Sequence, residues 1–172
     1  MNRKLHLALL VLIGLTLAAC TPKPTKQDPT VVDDGGSTNV VDNDVDGTGL
    51  TRAQLNALGI NGNPLDYKTV HFAYNSTAFT QRSTVIVKAH ARELNRRGGA
   101  RVNLEGHADE RGTRDYNLAL GERRALAVAG LMNATGAGGS SINSISYGEE
   151  RPVDSAHNED AWHKNRRVQI AY

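Results

Sequence analysis

The sequence predicts a single α/β domain in which helices pack on one sheet. After an amino-terminal stretch of different composition, about 105–120 residues remain, which is enough chain for one hydrophobic core and too little for two. In this part, short segments with alternating apolar residues are followed by longer segments whose apolar residues recur every three to four positions. Strands that alternate with helices in this way are typical of an α/β layer.

The domain is expected to begin near residue 66, just before its first strand. Thr51 could cap a helical turn within residues 50–67, but the sequence leaves open whether that turn packs on the domain. The first strand is predicted around Val70, Phe72 and Tyr74, which alternate with polar or small neighbours.

The following segments continue the alternation of helix and strand. Thr80 fits the N-cap of a helix that runs to about Arg97, where two glycines end it. Five further elements are predicted: a strand at about 100–107, a helix at 115–133, a strand at 142–147, a short helix at 159–165 and a final strand at 168–172.

The amino terminus is typical of a lipoprotein export signal over residues 1–19. Arg3 and Lys4 precede an almost unbroken apolar run at 7–19, which is shorter than the roughly 20 residues that span a bilayer. The run ends in Leu-Ala-Ala-Cys and resembles a bacterial lipobox, in which Cys20 becomes the lipid-modified first residue of the mature protein. An ordinary cleaved signal is the alternative, but Cys20 is the only cysteine and stands where a lipobox requires it.

Residues 20–65 are predicted to be the lipidated cysteine and a flexible acidic linker. The segment 21–49 contains six Asp, two Lys and no aromatic residue, so it cannot bury enough apolar surface to offset its ordering entropy. Thr21 stands where an Asp would resemble an inner-membrane retention signal, and this implies an outer-membrane anchor with the domain in the periplasm. The net charge of +2 decides nothing about partners, while the export signal disfavours nucleic acid.

An acidic pattern within this linker offers a calcium site as an alternative. Asp42, Asp44 and Asp46 followed by Gly47 match the first half of an EF-hand loop. The twelfth position of that loop should be a bidentate Glu, and it is Ala53 here. We therefore interpret the pattern as a solvated linker and expect no resident metal.

The segment 105–125, EGHADERGTRDYNLALGERRA, predicts a binding site. Asp109 lies in a loop after a strand, and Arg124 lies on the next helix, on one face with Asn117 and Leu120. An Arg at the mouth of an apolar stripe is costly to desolvate unless an anion meets it. An Asp and an Arg held apart at one rim suit a ligand that carries both an amine and a carboxylate, and a plain salt bridge between them is the alternative.

Several motifs in this part of the chain carry a family resemblance. GHADERG followed by NLALGERRA, then SYGEERP at 146–152 and AWHKNRR at 161–167, resembles OmpA-like peptidoglycan-binding domains, most closely those of peptidoglycan-associated lipoproteins. The resemblance covers Thr69 to Tyr172. It implies a β-α-β-α-β arrangement with a short extra helix and a mixed four-stranded sheet, and a lipoprotein that links the outer membrane to peptidoglycan within the Tol-Pal system.

The resemblance also implies a ligand and its contacts. It places the family's ligand-binding Asp on Asp109 and its Arg on Arg124, with the diaminopimelate residue of peptidoglycan stem peptides as the ligand. That side chain ends in an ammonium beside a carboxylate, which one anion and one bidentate cation complement. The other expected contacts are Leu120, Asn117, Arg111, Phe72 and Asn75.

The sequence departs from the family pattern at the exit of the first strand. Related domains usually carry an acid there, as in F-x-x-D, whereas this chain has an amide at Asn75 and Ala78 in place of another common acid. We therefore expect weaker, not absent, ligand affinity, with Asp109 supplying more of the anionic share.

The same segment does not predict an enzyme. His107, Asp109 and Glu110 superficially offer a base and two carboxylates, but alternation at a strand end sends Glu110 away from the other two. No HExxH, CxxC or nucleophile elbow is present, so we expect neither catalysis nor a cofactor. His107 is expected to hydrogen-bond the loop backbone, and His90 to be a core histidine with satisfied hydrogen bonds.

A protein partner is the last expectation. The resemblance implies the β-propeller protein TolB as a partner, with an alternative role as an OmpA-like anchoring lipoprotein of another envelope machine that does not bind TolB. The expected TolB surface is Arg123, Tyr147, Glu149 and Glu150. Arg123 points roughly 100° away from Arg124 on the helix. Residues 165–167, Asn-Arg-Arg, are interpreted as helix C-terminal cations that lead into the last strand.

Overall fold

The computed structural model describes residues 48–98, 100–139 and 141–172. The predicted signal, Cys20, the linker up to residue 47 and the acidic calcium-like pattern lie outside these ranges. Within them, no helix is both long and apolar enough to cross a bilayer.

The described ranges form four strands, four α-helices and two short 3₁₀ turns. The α-helices and strands are, in chain order, α1 (Arg52–Ala57), β1 (Thr69–His71), α2 (Gln81–Arg96), β2 (Arg101–His107), α3 (Arg114–Ala134), β3 (Ser141–Gly148), α4 (Glu159–Asn165) and β4 (Arg167–Ala171). The 3₁₀ turns are Pro64–Asp66 and Ala137–Gly139. α2 begins after Thr80, as the sequence predicts, and α3 begins at Arg114, one residue before the predicted start. Thr80 and Thr113 each accept a hydrogen bond from a backbone N–H group of the first turn.

The strands form one mixed sheet in the order β1-β4-β2-β3. β4 is antiparallel to both of its neighbours, whereas β2 and β3 are parallel. The pairing of β2 with β3 shifts between Gly106 and His107, so the regular ladder ends where the loop with Asp109 begins. The α/β class and the mixed four-stranded sheet are confirmed.

The core lies between the sheet and the two long helices. Val102 and Leu104 of β2 and Ile170 of β4 are fully buried, as are Val87 of α2 and Val128 of α3. Alternate residues of β2 are exposed, which is the pattern of a sheet with one covered face.

The packed region starts before residue 66, where the sequence placed the domain boundary. Thr51 caps α1 through a capping box with Gln54, and Leu55 and Ile60 are fully buried in the main core. Arg82 on α2 donates from Nη1 to the carbonyl oxygen of Leu58 at 2.9 Å. The packed region therefore begins near residue 50, because two apolar side chains and a capped backbone hold this segment on the domain.

β1 is shorter than the alternation of apolar residues predicts. It ends at His71, and the Phe72 N–H donates to the Arg166 carbonyl at 2.9 Å. The chain then turns at Asn75, which has a φ of 48° and so occupies the left-handed region that Asn tolerates better than most residues. This turn aims backbone carbonyls at the end of the sheet near α3.

α3 sits unusually close to β2 because two glycines face each other. A Cβ on Gly106 would lie 1.9 Å from the carbonyl oxygen of Gly121, a distance that no side chain can adopt. This close approach fixes the height of α3 over the strand and brings Arg124, one turn further along the helix, to the end of β2.

Candidate functional site

A pocket of about 320 Å³ opens at the end of β2, between the turn after β1, the loop after β2 and the first half of α3. Five of the residues that line it are predicted contacts: Asn75, Asp109, Arg111, Leu120 and Arg124. Five others are not among the predicted contacts: Tyr74, Gly112, Thr113, Tyr116 and Arg166.

Arg124 is fully buried at the base of this pocket. Its guanidinium donates from Nε to the Ser76 carbonyl at 3.0 Å, from Nη1 to the His107 carbonyl at 2.8 Å and from Nη2 to the Ala73 carbonyl at 3.1 Å. A guanidinium has five N–H donors, so two remain after these three bonds. Burial lowers the pKa of Arg124 to about 10, against the opposing effect of Asp109, and the side chain stays protonated at neutral pH.

Asp109 is 4% exposed and is held by two arginines. Its Oδ2 accepts from Arg111 Nη2 at 2.7 Å and from Arg166 Nη1 at 3.1 Å, whereas Oδ1 accepts only the Arg111 backbone N–H at 3.1 Å. Burial acts to raise the pKa of Asp109, but the hydrogen bonds from Arg111 and Arg166 outweigh it and leave the pKa below its ordinary value. The carboxylate is therefore ionised, and one of its oxygens has capacity for a further donor.

Asp109 and Arg124 line one pocket without pairing with each other. Arg124 makes its three hydrogen bonds to carbonyls, and the ion pairs of Asp109 are with Arg111 and Arg166. The plain salt bridge offered as an alternative does not form. The two side chains are held separately, which leaves each one able to meet a different group of a ligand.

Arg166 corrects the interpretation of residues 165–167. Its position follows the last residue of α4, as a helix-end cation would, but its side chain is 5% exposed and turns into the site. It donates to the Phe72 carbonyl at 3.1 Å, to Asp109 and to Glu159 Oε1 at 2.7 Å. Only the long-range fold brings these residues together, so no local spacing in the sequence indicated the contact.

One wall of the pocket is a stack of three side chains. The Arg111 guanidinium lies 4.1 Å from the Tyr74 ring centroid and 4.2 Å from that of Trp162. Trp162 is fixed in turn, since its Nε1 donates to Glu110 Oε1 at 2.8 Å. Glu110 lies in the loop after β2, is not among the described residues that line the pocket, and holds Trp162 through this hydrogen bond.

Two predicted contacts lie outside the pocket, and one predicted hydrogen bond does not form in the described structure. Asn117 is buried and donates to Glu149, and Phe72 lines a neighbouring pocket with its ring 5.3 Å from the Arg124 guanidinium. The expected hydrogen bond from His107 to the loop backbone is wrong, because neither ring nitrogen has a partner in the described structure. Burial, with the nearby charges of Arg167 and Arg151, lowers the pKa of His107 to about 4.

The four residues expected to contact TolB are not among the described residues that line the pocket. Arg123 is exposed, with its guanidinium 5.6 Å from the Tyr116 ring centroid. Glu150 accepts from Arg114 Nε at 2.6 Å, and the Arg151 guanidinium lies 3.7 Å from the ring centroid of Tyr147.

Within the described ranges, no group of three or more His, Cys, Asp or Glu side chains is arranged to hold a metal ion.

Comparisons with known proteins identify the family of this chain. Residues 71–166 match the OmpA family. The peptidoglycan-associated lipoprotein of Haemophilus influenzae is 44% identical over 106 residues, which cover 62% of this chain and 69% of that protein. That of Legionella pneumophila is 36% identical over 171 residues, which cover 96% of this chain and 93% of that protein.

A solved structure gives the same assignment. The crystal structure of the peptidoglycan-associated lipoprotein from Burkholderia pseudomallei superposes with a TM-score of 0.59 at 34% identity, covering 63% of this chain and 92% of that one. The family match spans more than half of the chain, and the Legionella relative is matched over nearly its whole length. The chain therefore belongs to the OmpA family and, within it, to the peptidoglycan-associated lipoproteins.

Proposed function

We propose that this protein is an outer-membrane lipoprotein whose domain binds peptidoglycan non-covalently through diaminopimelate and so attaches the membrane to the cell wall. Its relatives are named for association with peptidoglycan and for a lipid anchor. In this proposal Cys20 carries the lipid, the segment up to about residue 50 is the tether, and the domain lies in the periplasm.

The observation that carries the proposal is the arrangement of Arg124. Three backbone carbonyls fix its guanidinium, and two N–H groups remain for a ligand at the pocket. A carboxylate that reaches Arg124 meets a cation which has already lost its conformational freedom, so little entropy is lost on binding. The diaminopimelate side chain supplies such a carboxylate.

The ammonium of the same side chain is assigned to Asp109. Oδ1 of this carboxylate has capacity for another donor, and Arg111 is the more exposed of its two arginines, with 29% of its side chain exposed against 5% for Arg166. A ligand ammonium can therefore bind at Oδ1 or displace Arg111 from Oδ2. Leu120 offers an apolar contact to the methylene chain that leads to this charged end.

The pocket holds more positive than negative charge. Arg111, Arg124 and Arg166 line it with Asp109 as the only carboxylate among the described lining residues. This excess favours a ligand whose carboxylates outnumber its ammonium groups, as they do in a diaminopimelate stem peptide. A lysine-containing stem peptide lacks the second carboxylate and is expected to bind less tightly.

Calorimetric titration with a diaminopimelate tripeptide tests the proposal. Asp109→Asn and Arg124→Lys are expected to weaken binding by at least about tenfold. Arg123→Lys is the matched control, because it makes the same change on the adjacent residue outside the pocket. Circular dichroism checks that each variant is folded. Equal affinity of wild type and both site variants, or equal affinity for diaminopimelate and lysine peptides, would refute the proposal.

We further propose TolB as a partner and a place for this protein in the Tol system. Arg123 lies against the ring of Tyr116, which lines the pocket, so partner and wall compete wherever the two surfaces overlap. Arg123→Glu is expected to reduce recovery of TolB from a periplasmic extract while leaving muropeptide affinity within about twofold. Undiminished recovery would favour the alternative role in another envelope machine.

No catalysis is proposed, and incubation with sacculi should release no soluble muropeptide.

A further inference from the structure

A second pocket of about 500 Å³ lies beside the first, and Tyr74 and Arg166 line both. We call it the histidine pocket, because His71 at the end of β1 and His163 on α4 face each other in it. The two imidazole rings stack with centroids 5.3 Å apart and an interplanar angle of 15°. The pocket thus extends the first site along the surface, across the exposed ring of Tyr74.

The charged side chains that line the histidine pocket are Arg82, Arg166 and Glu159. Arg82 uses Nη1 for the backbone of the segment after α1, while its Nε and Nη2 make no hydrogen bond in the described structure. The single carboxylate at the pocket, Glu159, is already paired with Arg166 at 2.7 Å and with Arg111 at 3.3 Å. The lining therefore has unused donors and no unpaired acid.

The amino terminus of α2 adds to this positive character. Thr80 and Ser83 line the pocket, and the first turn of this 16-residue helix contains no acidic residue. The pKa of His71 is lowered first by burial and then by the charges of His163, Arg167 and Arg82, so its ring is neutral at pH 7 and offers a hydrogen bond and not a charge. Cations and a helix terminus that converge on one cavity favour an anionic occupant.

We propose that the histidine pocket is an anion subsite that binds a second carboxylate of the same stem peptide, the free α-carboxylate of the glutamate that precedes diaminopimelate. In this peptide the glutamate is linked through its γ-carboxyl, so its α-carboxylate remains ionised and lies one residue from the group assigned to Arg124. The shared wall of the two pockets lets one peptide reach both. This inference rests on the function proposed above and names a further part of the same ligand.

A pair of tripeptides that differ in one charge tests the subsite. The first is L-alanyl-γ-D-glutamyl-meso-diaminopimelate, and the second carries an amide in place of the glutamate α-carboxylate. Amidation is expected to weaken binding to the wild-type protein by about tenfold. In the double variant His71→Gln/His163→Gln and in Arg82→Gln, the two peptides should bind within about twofold of each other.

Two further variants make the result decisive. His163→Gln alone changes an exposed side chain and is expected to reduce the effect of amidation without loss of folding. Arg101→Gln, on the exposed end of β2, removes a cation elsewhere and should keep the full tenfold effect. If amidation changes nothing in the wild type, or changes it equally in all variants, the subsite does not exist.

The outcome also separates this inference from the proposed function. If the protein binds diaminopimelate peptides more tightly than lysine peptides and amidation does not change its affinity, the first site exists and the second does not. A protein that binds diaminopimelate and lysine peptides equally lacks the first. If inorganic phosphate binds in the histidine pocket and amidation of the peptide has no effect, the pocket takes a free anion and not the peptide, and the inference is wrong.

Discussion

Arg166 donates from Nη1 to Asp109 Oδ2 at 3.1 Å, between positions 57 residues apart, and each of the two residues is 4% exposed. This ion pair joins the loop after β2 to the end of α4. Arg111 binds the same carboxylate from a more exposed position. Asp109 therefore has one buried partner, Arg166, and one partner that is partly exposed to solvent, Arg111.

Arg166→Gln and Arg111→Gln are expected to differ strongly in stability, although both remove a cation from Asp109. Loss of the buried partner leaves a desolvated carboxylate and should lower the free energy of unfolding by about 3 kcal/mol. Loss of Arg111 should cost about 1 kcal/mol or less, because solvent reaches that side chain. Urea unfolding of the two variants at pH 7 measures the difference. Equal losses would mean that the two arginines are interchangeable.

The stability of the domain should fall as the pH drops below about 6.5. Burial holds the pKa of His107 at about 4 and also lowers the pKa of His90, so the folded state excludes protons that the unfolded chain takes up. For His107 alone the loss should be about 2 kcal/mol at pH 5. His107→Leu removes this contribution at little cost at pH 7, because neither ring nitrogen has a partner. Identical losses between pH 7 and pH 5 in both proteins would exclude His107 as the cause.

Alanine substitutions at two glycines are expected to change stability in opposite directions, because Gly106 lies against Gly121 whereas Gly130 has open space. Gly106→Ala forces a methyl group against a backbone oxygen and should cost more than about 3 kcal/mol of unfolding free energy. Gly130→Ala, within α3, meets nothing within 4 Å and should stabilise the protein by about 0.5–1 kcal/mol. Thermal unfolding compares the two, and a mild effect at Gly106 would show that α3 can move away from β2.

Asn75→Asp is expected to strengthen binding of the diaminopimelate tripeptide by about three- to tenfold. Asn75 lines a pocket with excess positive charge, and its Oδ1 accepts a hydrogen bond from the Tyr116 hydroxyl that an Asp can also accept. Asp also tolerates the left-handed backbone at this position. Asn75→Ala is the comparison without a charge. Unchanged or weaker binding by Asn75→Asp would show that the amide does not limit affinity.

Much of this fold could be predicted because its signals are local. Thr80 and the glycine after Arg97 bound α2 in the sequence as they do in the structure, and the short helix Glu159–Asn165 has the bounds that its pattern predicts. Asp109 and Arg124 belong to one continuous stretch, so a strand, a loop and a helical face sufficed to place them at the same end of the layer.

The missed features depend on contacts between distant parts of the chain. Arg166 and Trp162 join the site only because β4 lies between β1 and β2, an order that no local pattern contains. The packing of Leu55 and Ile60 was equally invisible, since a short capped turn looks the same whether it is free or covered. His107 is the opposite case, in which a local signal was misleading. A polar residue next to a loop suggested a hydrogen bond, but its buried ring has no hydrogen-bond partner in the described structure.

The attachment of residues 50–67 has a mechanical consequence. Arg82 donates to the carbonyls of Leu58 and Gly59 and lies 4.6 Å from the ring centroid of Tyr67, so it adds a contact with α2 to the buried packing of Leu55 and Ile60. Under the proposed function, with lipid at one end and the wall at the other, tension on the tether would load this packed segment and Arg82 before it reaches the sheet. Arg82 also lines the histidine pocket, and strain between the two envelope layers would thus be applied beside the ligand itself.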